Sequence, residues 1–157
     1  MYYTWAIVSR FWGFIIVPYA LVRGGPAERC GAAIYGLAWA ATFFSQSRDG
    51  NGPGIWVFVI DALMMLAFIV LSAVTRKIWT LFAAAFAMAA VLCHIAGMIG
   101  QVNVVTYVTG IMLWGAYGML VALTGGMISH ELEMRRKRLQ TARSQGGTRL
   151  DGIKAPP

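Results

Sequence analysis

The stretch VFVIDALMMLAFIVL, from Val57 to Leu71, contains fourteen apolar residues and one acid, Asp61. A helix needs about 20 mostly apolar residues to cross the hydrocarbon core of a membrane, and the apolar residues around this stretch supply that length. A charge at mid-membrane costs about 2.5 to 3.5 kcal/mol on insertion scales, so such a residue usually has a polar partner or faces water. The stretch therefore predicts a membrane-spanning helix with a compensated acid.

The composition separates the chain into two parts. Of its 157 residues, 59% are hydrophobic and 12% are charged, whereas about a quarter of the residues in a soluble domain are charged. Ten of the 19 charged residues lie within residues 129–157. We therefore expect a transmembrane helical bundle over residues 1–128. A basic cytoplasmic tail over residues 129–157 follows, predicted as helical at first and disordered from Ser144.

The predicted fold class is all-α, an integral membrane helical bundle of four or five transmembrane helices with a basic cytoplasmic C-terminal tail. The first two of five apolar stretches are the weaker spans, because one contains Arg10 and Pro18 and the other is short. The five stretches cover Tyr3 to Val22, Cys30 to Phe44, Ile55 to Val74, Ile78 to Ile99 and Asn103 to Gly126.

The positive charges predict the orientation, because Lys and Arg are retained on the cytoplasmic side. With five spans, eleven of the 13 basic residues lie inside and two, Arg10 and Arg48, lie outside. With four spans, the first stretch lies on the inner surface and the count is twelve against one. Both versions place the C-terminus in the cytoplasm. Trp56 and Tyr107 fit the outer interface and Trp79 fits the inner one.

Three ionisable residues fall at a similar depth in the outer half of this drawing. At 1.5 Å of rise per residue, Asp61 lies about 9 Å below the outer end of its stretch, and Arg10 and His94 lie at nearly the same level. A buried Arg10, Asp61 and His94 cluster is therefore predicted. It is interpreted as an ion pair that fixes helix positions, as a proton-relay or ligand site, or as a hydrated Asp61 with Arg10 reaching to the surface.

Small residues recur on two of the predicted helices and let another backbone approach closely. Intramolecular packing between these helices is the main expectation, and contact with a second protein is the alternative. The helix-packing residues are Ala85, Ala89, Cys93 and Gly97 in the fourth stretch, and Gly110, Gly118, Ala122 and Gly126 in the fifth.

No cofactor or metal is expected, because the candidate motifs are incomplete. In HELEM, Met134 stands where a zinc-protease helix has its second His. In DGNGPG, Pro53 and Ile60 replace oxygen ligands of a calcium loop. His94 and His130 lie at opposite ends of the bundle and cannot share a haem. The basic cluster is read either as a lipid-headgroup site or as a topology anchor only. It comprises Arg135, Arg136, Lys137 and Arg138.

Two segments, RGGPAER (23–29) and RKIWTLFAAAFAMAAVLCHIAG (76–97), resemble parts of small uncharacterised multi-pass inner-membrane proteins of alphaproteobacteria. The resemblance covers about residues 20–100 and implies a helical protein of the bacterial inner membrane with no assigned activity.

The first predicted role is a non-enzymatic accessory or scaffold component that acts through helix contacts. The alternative is a small proton-coupled transporter or channel with an intramembrane Arg10, Asp61 and His94 layer. An enzyme is not expected, since no catalytic set is recognisable. The expected partners are the lipid bilayer and either another membrane protein or further copies of the chain, and not nucleic acid.

Overall fold

The computed structural model describes residues 2–45, 54–100 and 102–151, and every regular element in these ranges is helical. The prediction of an all-α chain is confirmed. Four helices are followed by a long fifth one that has three consecutive parts. The helices are α1 (Tyr2–Arg23), α2 (Pro26–Ser45), α3 (Ile55–Thr75), α4 (Ile78–Met98), and the fifth, made of α5 (Val104–Ile111), a π-helical segment (Met112–Gly118) and α6 (Met119–Asp151).

The helix ends follow local chemistry. Pro26 is the first residue of α2, where its missing N–H costs no hydrogen bond. Arg76 ends α3 in the left-handed region with φ 51°, and its N–H donates to the Ser72 carbonyl at 2.9 Å. The side chain of Asn103 accepts a hydrogen bond from the Val105 N–H at 2.9 Å and caps α5. Short turns thus join α1 to α2 and α3 to α4.

Three of the described helical stretches are long and apolar enough to cross a membrane, namely Ile55–Thr75, Ile78–Met98 and Val104–Thr141. Their outer surfaces are apolar as well, with large side chains such as Val74, Ile78 and Leu81 strongly exposed. Apolar surface of this extent is unfavourable in water and suits hydrocarbon. These features are compatible with an integral membrane protein.

The helices pack in a closed arrangement. Helices α3 and α4 make the most extensive contact, α2 packs on α3, α1 packs on α2, and the fifth helix packs on both α4 and α1. The core that they share is filled by fully buried side chains such as Phe68, Ala87, Met119 and Leu120. We call the end where α3 begins and α4 ends the Trp56 end, and the opposite end the Trp79 end.

Helix α6 continues without a break past the predicted boundary at residue 128. Helix α6 extends to Asp151, which differs from the disorder predicted from Ser144. Gly146 and Gly147 each cost about 1 kcal/mol of helix propensity relative to Ala, which weakens a helix without ending it. The next proline is Pro156, outside the described residues. The candidate calcium-loop residues at positions 49–53 also lie outside them.

Candidate functional site

Asp61 and His94 form a buried pair between α3 and α4. The His94 Nε2 atom lies 2.9 Å from the Asp61 Oδ2 atom. The side chains are almost enclosed, since His94 is 1% and Asp61 8% exposed. The tight turn at Arg76 makes α3 and α4 antiparallel neighbours, so residues near the start of α3 meet residues near the end of α4. The bundle therefore supplies the acid of the opening stretch with a polar partner.

Tyr107 of α5 extends this pair to a third helix. Its hydroxyl lies 2.8 Å from His94 Nδ1. The sequence had placed Tyr107 in an interfacial aromatic belt, and its phenol instead reaches inward to the imidazole. Phe58 makes an edge contact with the His94 imidazole, and the centroids of the two rings are 5.8 Å apart. We call Asp61, His94 and Tyr107 the polar relay.

Two arrangements of protons satisfy both hydrogen bonds of the polar relay. With Asp61 ionised and His94 neutral, the Nε2–H of His94 donates to Asp61 and the Tyr107 hydroxyl donates to Nδ1. With Asp61 protonated, the directions reverse: Asp61 donates to Nε2 and Nδ1–H donates to the Tyr107 oxygen. Both ring nitrogens of His94 are hydrogen-bonded in each case. The imidazole can therefore receive a proton on one side and release one on the other.

Arg10 does not join the polar relay, which differs from the predicted three-residue cluster. Its side chain is exposed, and the ion pairs found among the described residues do not include it. The physical reason is that α1 packs mainly against α2 and the fifth helix, so Arg10 lies at a suitable depth but on the wrong side of the bundle. A tyrosine from α5 occupies the third place in the cluster.

A cavity of about 130 Å³ adjoins Asp61 on the side away from His94's helix, between α2, α3 and the π-helical segment. Tyr35 is 6% exposed, and its hydroxyl has no hydrogen-bond partner among the described residues. The same holds for Oδ1 of Asp61. Both residues line the cavity, together with Ala38, Trp39, Thr42, Val57, Met64, Ile111, Met112, Gly115 and Ala116.

The π-helical segment forms the third wall of this cavity. A π-helix has a wider turn than an α-helix, is rare, and occurs frequently at functional sites. Here the segment places small residues, Gly115 and Ala116, at the cavity. Trp114 points the other way and stacks on Phe86, with ring centroids 5.9 Å apart.

A second buried polar cluster lies at the Trp79 end and was not predicted from the sequence. Glu28 is 1% exposed. Its Oε1 accepts hydrogen bonds from Lys77 Nζ at 2.7 Å and from Trp79 Nε1 at 3.0 Å. A Cβ placed on Gly25 would lie 2.8 Å from Glu28 Oε2 and 3.1 Å from His130 Nδ1. Glu28 thereby joins the start of α2 to the start of α4 and approaches α6.

Stability at acid pH should depend on Glu28, which precedes the apolar part of α2. Burial raises the pKa of this carboxyl, but the hydrogen bonds from Lys77, the backbone and Trp79, together with the charge of Lys77, outweigh burial, and the pKa is lowered from its ordinary 4.5. The ionised form therefore stabilises the fold above that value, and the contribution is lost as the pH falls through the lowered pKa. Thermal unfolding in mild detergent should show Glu28→Gln melting below the wild type at pH 7, with the gap closing below pH 4.5. An equal gap at all pH values would contradict this role.

The predicted helix-packing residues lie mostly between α4 and the fifth helix. A Cβ on Gly97 would lie 2.9 Å from the Tyr107 ring, and one on Gly110 would lie 2.9 Å from Cys93 Sγ. Gly118 faces Phe86 and Gly126 faces Trp79 at similarly short distances. Ala122 is buried and Ala89 half-buried, whereas Ala85 is exposed, which differs from the prediction.

The difference at Ala85 has a rotational cause. The buried face of α4 includes Thr80, Ala83, Ala87, Ala90 and His94. Their spacing follows the 3.6-residue period of the helix more closely than a strict four-residue spacing does. A repeat of every fourth residue drifts around the helix, so its first member, Ala85, turns away from the fifth helix.

The predicted lipid-headgroup residues are exposed on α6, beyond the Trp79 end. Arg135 and Arg138 border a polar cleft of about 310 Å³ together with Arg23 of α1 and His130. Arg136 and Lys137 are exposed outside this cleft. The Tyr19 hydroxyl donates a hydrogen bond to Glu131 at the same cleft, so α6 is attached to α1 as it leaves the bundle.

Across the described ranges, no group of three or more His, Cys, Asp or Glu side chains is placed to hold a metal ion. The two cysteines, Cys30 and Cys93, are free thiols. No family model, curated protein or solved structure matches the chain. The features of the chain that bear on its function are the polar relay and the adjoining cavity.

Proposed function

We propose that this chain is a five-span protein of the bacterial inner membrane with a cytoplasmic C-terminus, and that it is a small proton-coupled transporter. The observation that carries the proposal is the polar relay, in which three titratable side chains from three helices are hydrogen-bonded in series and end at a cavity. Ionisable residues inside a membrane bundle commonly mark proton paths.

Five spans rather than four are favoured by the packing of α1. Ile16, Val17 and Ala20 are buried in the common core, as expected for a helix that crosses beside the others. Tyr117 donates a hydrogen bond to the Trp5 carbonyl near one end of α1, and Tyr19 contacts α6 near the other. Helix α1 therefore runs parallel to the fifth helix, as the alternation of five spans requires.

The polar relay carries a proton without leaving a charge on its middle member. A proton arriving at the Tyr107 oxygen allows the phenolic proton to move to His94 Nδ1. The Nε2 proton then moves to Asp61 Oδ2. One proton has entered at Tyr107 and one has appeared on Asp61, while His94 has only changed tautomer. The net effect is that Asp61, at the cavity, takes up a proton from the Trp56 end.

The accessory role predicted from the sequence is the second candidate, and it is now the weaker one. The accessory role was predicted because a surplus of small residues suits contact with a partner helix. The contacts of Gly110, Gly118 and Gly126 with α4 account for these residues within one chain. They give no separate support for a second protein, although a stoichiometric partner in a native-membrane purification would restore this role.

Proton movement tests the proposal directly. The purified chain is reconstituted into liposomes that contain a pH-sensitive dye, and a pH difference is imposed across the liposome membrane. The small-molecule fraction of a cell extract is added on the side opposite the dye, as a source of exchangeable solute. We expect the wild type to dissipate the difference at least tenfold faster than Asp61→Asn or His94→Leu, because each substitution interrupts the relay.

The matched pair for this experiment is Tyr107→Phe and Tyr117→Phe. Each removes one hydroxyl from the fifth helix, but only Tyr107 touches His94, so only Tyr107→Phe should slow the dissipation several-fold. Size-exclusion elution identical to that of the wild type verifies folding. Wild-type liposomes that behave like empty ones would overturn the proposal, and unfolding of Asp61→Asn together with such behaviour would mark the pair as structural.

A further inference from the structure

We propose that the cavity beside Asp61 binds a small organic ammonium ion, and that this ion replaces the proton on Asp61. The exchange of the ammonium ion for the proton extends the proposed function and rests on it. The binding of the ammonium ion rests on the cavity alone. Two polar groups that face the cavity, an aromatic wall and a lining with no basic side chain among the described residues lead to this ligand class.

The first support is the pair of polar atoms that the fold leaves unused. Asp61 directs Oδ2 to His94, and its other carboxylate oxygen accepts no hydrogen bond from the described residues. Tyr35, 6% exposed, also lacks a hydrogen-bond partner there. Both residues line the cavity, so these two oxygens can receive a group that donates hydrogen bonds or carries positive charge.

The second support is the composition of the walls. The rings of Tyr35 and Trp39 line the cavity, and aromatic faces attract organic cations. Trp39 is held in place by Phe14 in an edge contact, with centroids 4.9 Å apart. Of the lining residues within the described ranges, Asp61 alone carries a charge. The site therefore favours a cation and disfavours an anion.

The size of the cavity limits the ligand. An apolar protein cavity of about 150 Å³ is known to admit benzene, and this one measures about 130 Å³. It accommodates an ammonium ion with roughly three to five non-hydrogen atoms. A methylated or unmethylated ammonium group fits this limit, and a ligand with a large organic substituent does not.

The exchange conserves charge within the cavity. When Asp61 is protonated, the relay and the cavity are neutral. An entering ammonium ion pairs with the carboxylate, and the proton of Asp61 returns through His94 to Tyr107 and leaves. One positive charge enters as another departs. The titratable groups that face Asp61 are Tyr35 from α2 and His94 from α4, with Tyr107 from α5 behind His94, and the π-helical segment contributes none.

Calorimetric titration of the full-length protein in detergent tests the binding. The probes are tetramethylammonium chloride and, as a neutral molecule of similar size, tert-butyl alcohol, with sodium chloride as the salt control. We expect tetramethylammonium to bind at pH 8 and tert-butyl alcohol not to bind. The apparent Kd should rise as the pH is lowered, by up to about tenfold per pH unit where each bound cation displaces one proton.

Three variants locate the site. Asp61→Asn should weaken tetramethylammonium binding at least tenfold, and Trp39→Leu should weaken it several-fold, with Trp114→Leu as the matched control outside the cavity. Tyr35→Phe should weaken methylammonium, which donates hydrogen bonds, and leave tetramethylammonium unchanged. The comparison of probes on the wild type requires no variant, so it remains decisive if Asp61→Asn fails to fold.

The outcomes separate the two proposals. Equal binding of tert-butyl alcohol and tetramethylammonium, or binding of neither, overturns the ammonium site and leaves the proton experiment in liposomes unaffected. Binding of tetramethylammonium that releases no proton at any pH, with an apparent Kd that does not rise as the pH is lowered, supports the site and overturns the exchange. Binding with release of one proton per cation supports both.

Discussion

Replacing Trp79 with alanine is expected to leave little folded protein. The indole is 6% exposed and lies between two helices that approach it through glycines. A Cβ on Gly31 would lie 2.6 Å from its Cη2 atom, and one on Gly126 would lie 2.7 Å from its Cδ2 atom. Removing a buried aromatic side chain costs about 3 to 5 kcal/mol. The substitution also removes a hydrogen bond to the buried carboxylate of Glu28.

Trp56 is the matched control, because it is the second residue of α3 as Trp79 is the second residue of α4. Its side chain is 68% exposed, so Trp56→Ala should leave the melting temperature in detergent almost unchanged. Thermal unfolding followed by circular dichroism compares the two. Equal melting temperatures for the two variants would show that Trp79 does not lie between α2 and α6.

Gly126→Ala should destabilise the bundle, whereas Gly125→Ala should not. The added methyl group at residue 126 would lie 2.7 to 2.9 Å from three atoms of the Trp79 indole, and the ring cannot move away because Gly31 is behind it. Overpacking of this kind costs about 1 to 3 kcal/mol. At Gly125 nothing lies within 4 Å of the added carbon, and alanine favours helix over glycine by about 1 kcal/mol.

The pair of alanine variants differs by one position and by no other property, so the difference in melting temperature measures the contact with Trp79. We expect Gly125→Ala to melt at or above the wild-type temperature and Gly126→Ala clearly below it. The reverse order would place Gly125, and not Gly126, against α4.

The sequence predicts how deep the site residues lie along the membrane normal. A fixed rise per residue and a short turn between two apolar stretches put Asp61 and His94 at one level, and the structure places them in contact. The same arithmetic put Arg10 at that level and did not indicate where α1 lies around the bundle. Rotation and neighbour order depend on side-chain packing between helices, which hydropathy does not encode.

The polar cluster at the Trp79 end shows a second limit. Glu28 and Asp61 are two of three acids before residue 129, and this scarcity was a signal that Glu28 has a specific partner. The segment RGGPAER lies between the first two predicted apolar stretches, and its Gly and Pro residues favour a loop over a buried polar site. Its partners, Lys77 and Trp79, are about fifty residues away, and they reach Glu28 because α2 and α4 both pack against α3.

The uninterrupted course of the fifth helix has a consequence for any shortened version of the chain. A helix cut at residue 128 would lose the N–H groups that satisfy its last four carbonyls, at the level of the Glu28 cluster. It would also lose Glu131, the acceptor for Tyr19. The helix is continuous from the bundle into the basic segment, so truncation at residue 128 removes the part of the helix that contacts α1. A spectroscopic label attached near residue 135 would therefore rotate together with the whole molecule.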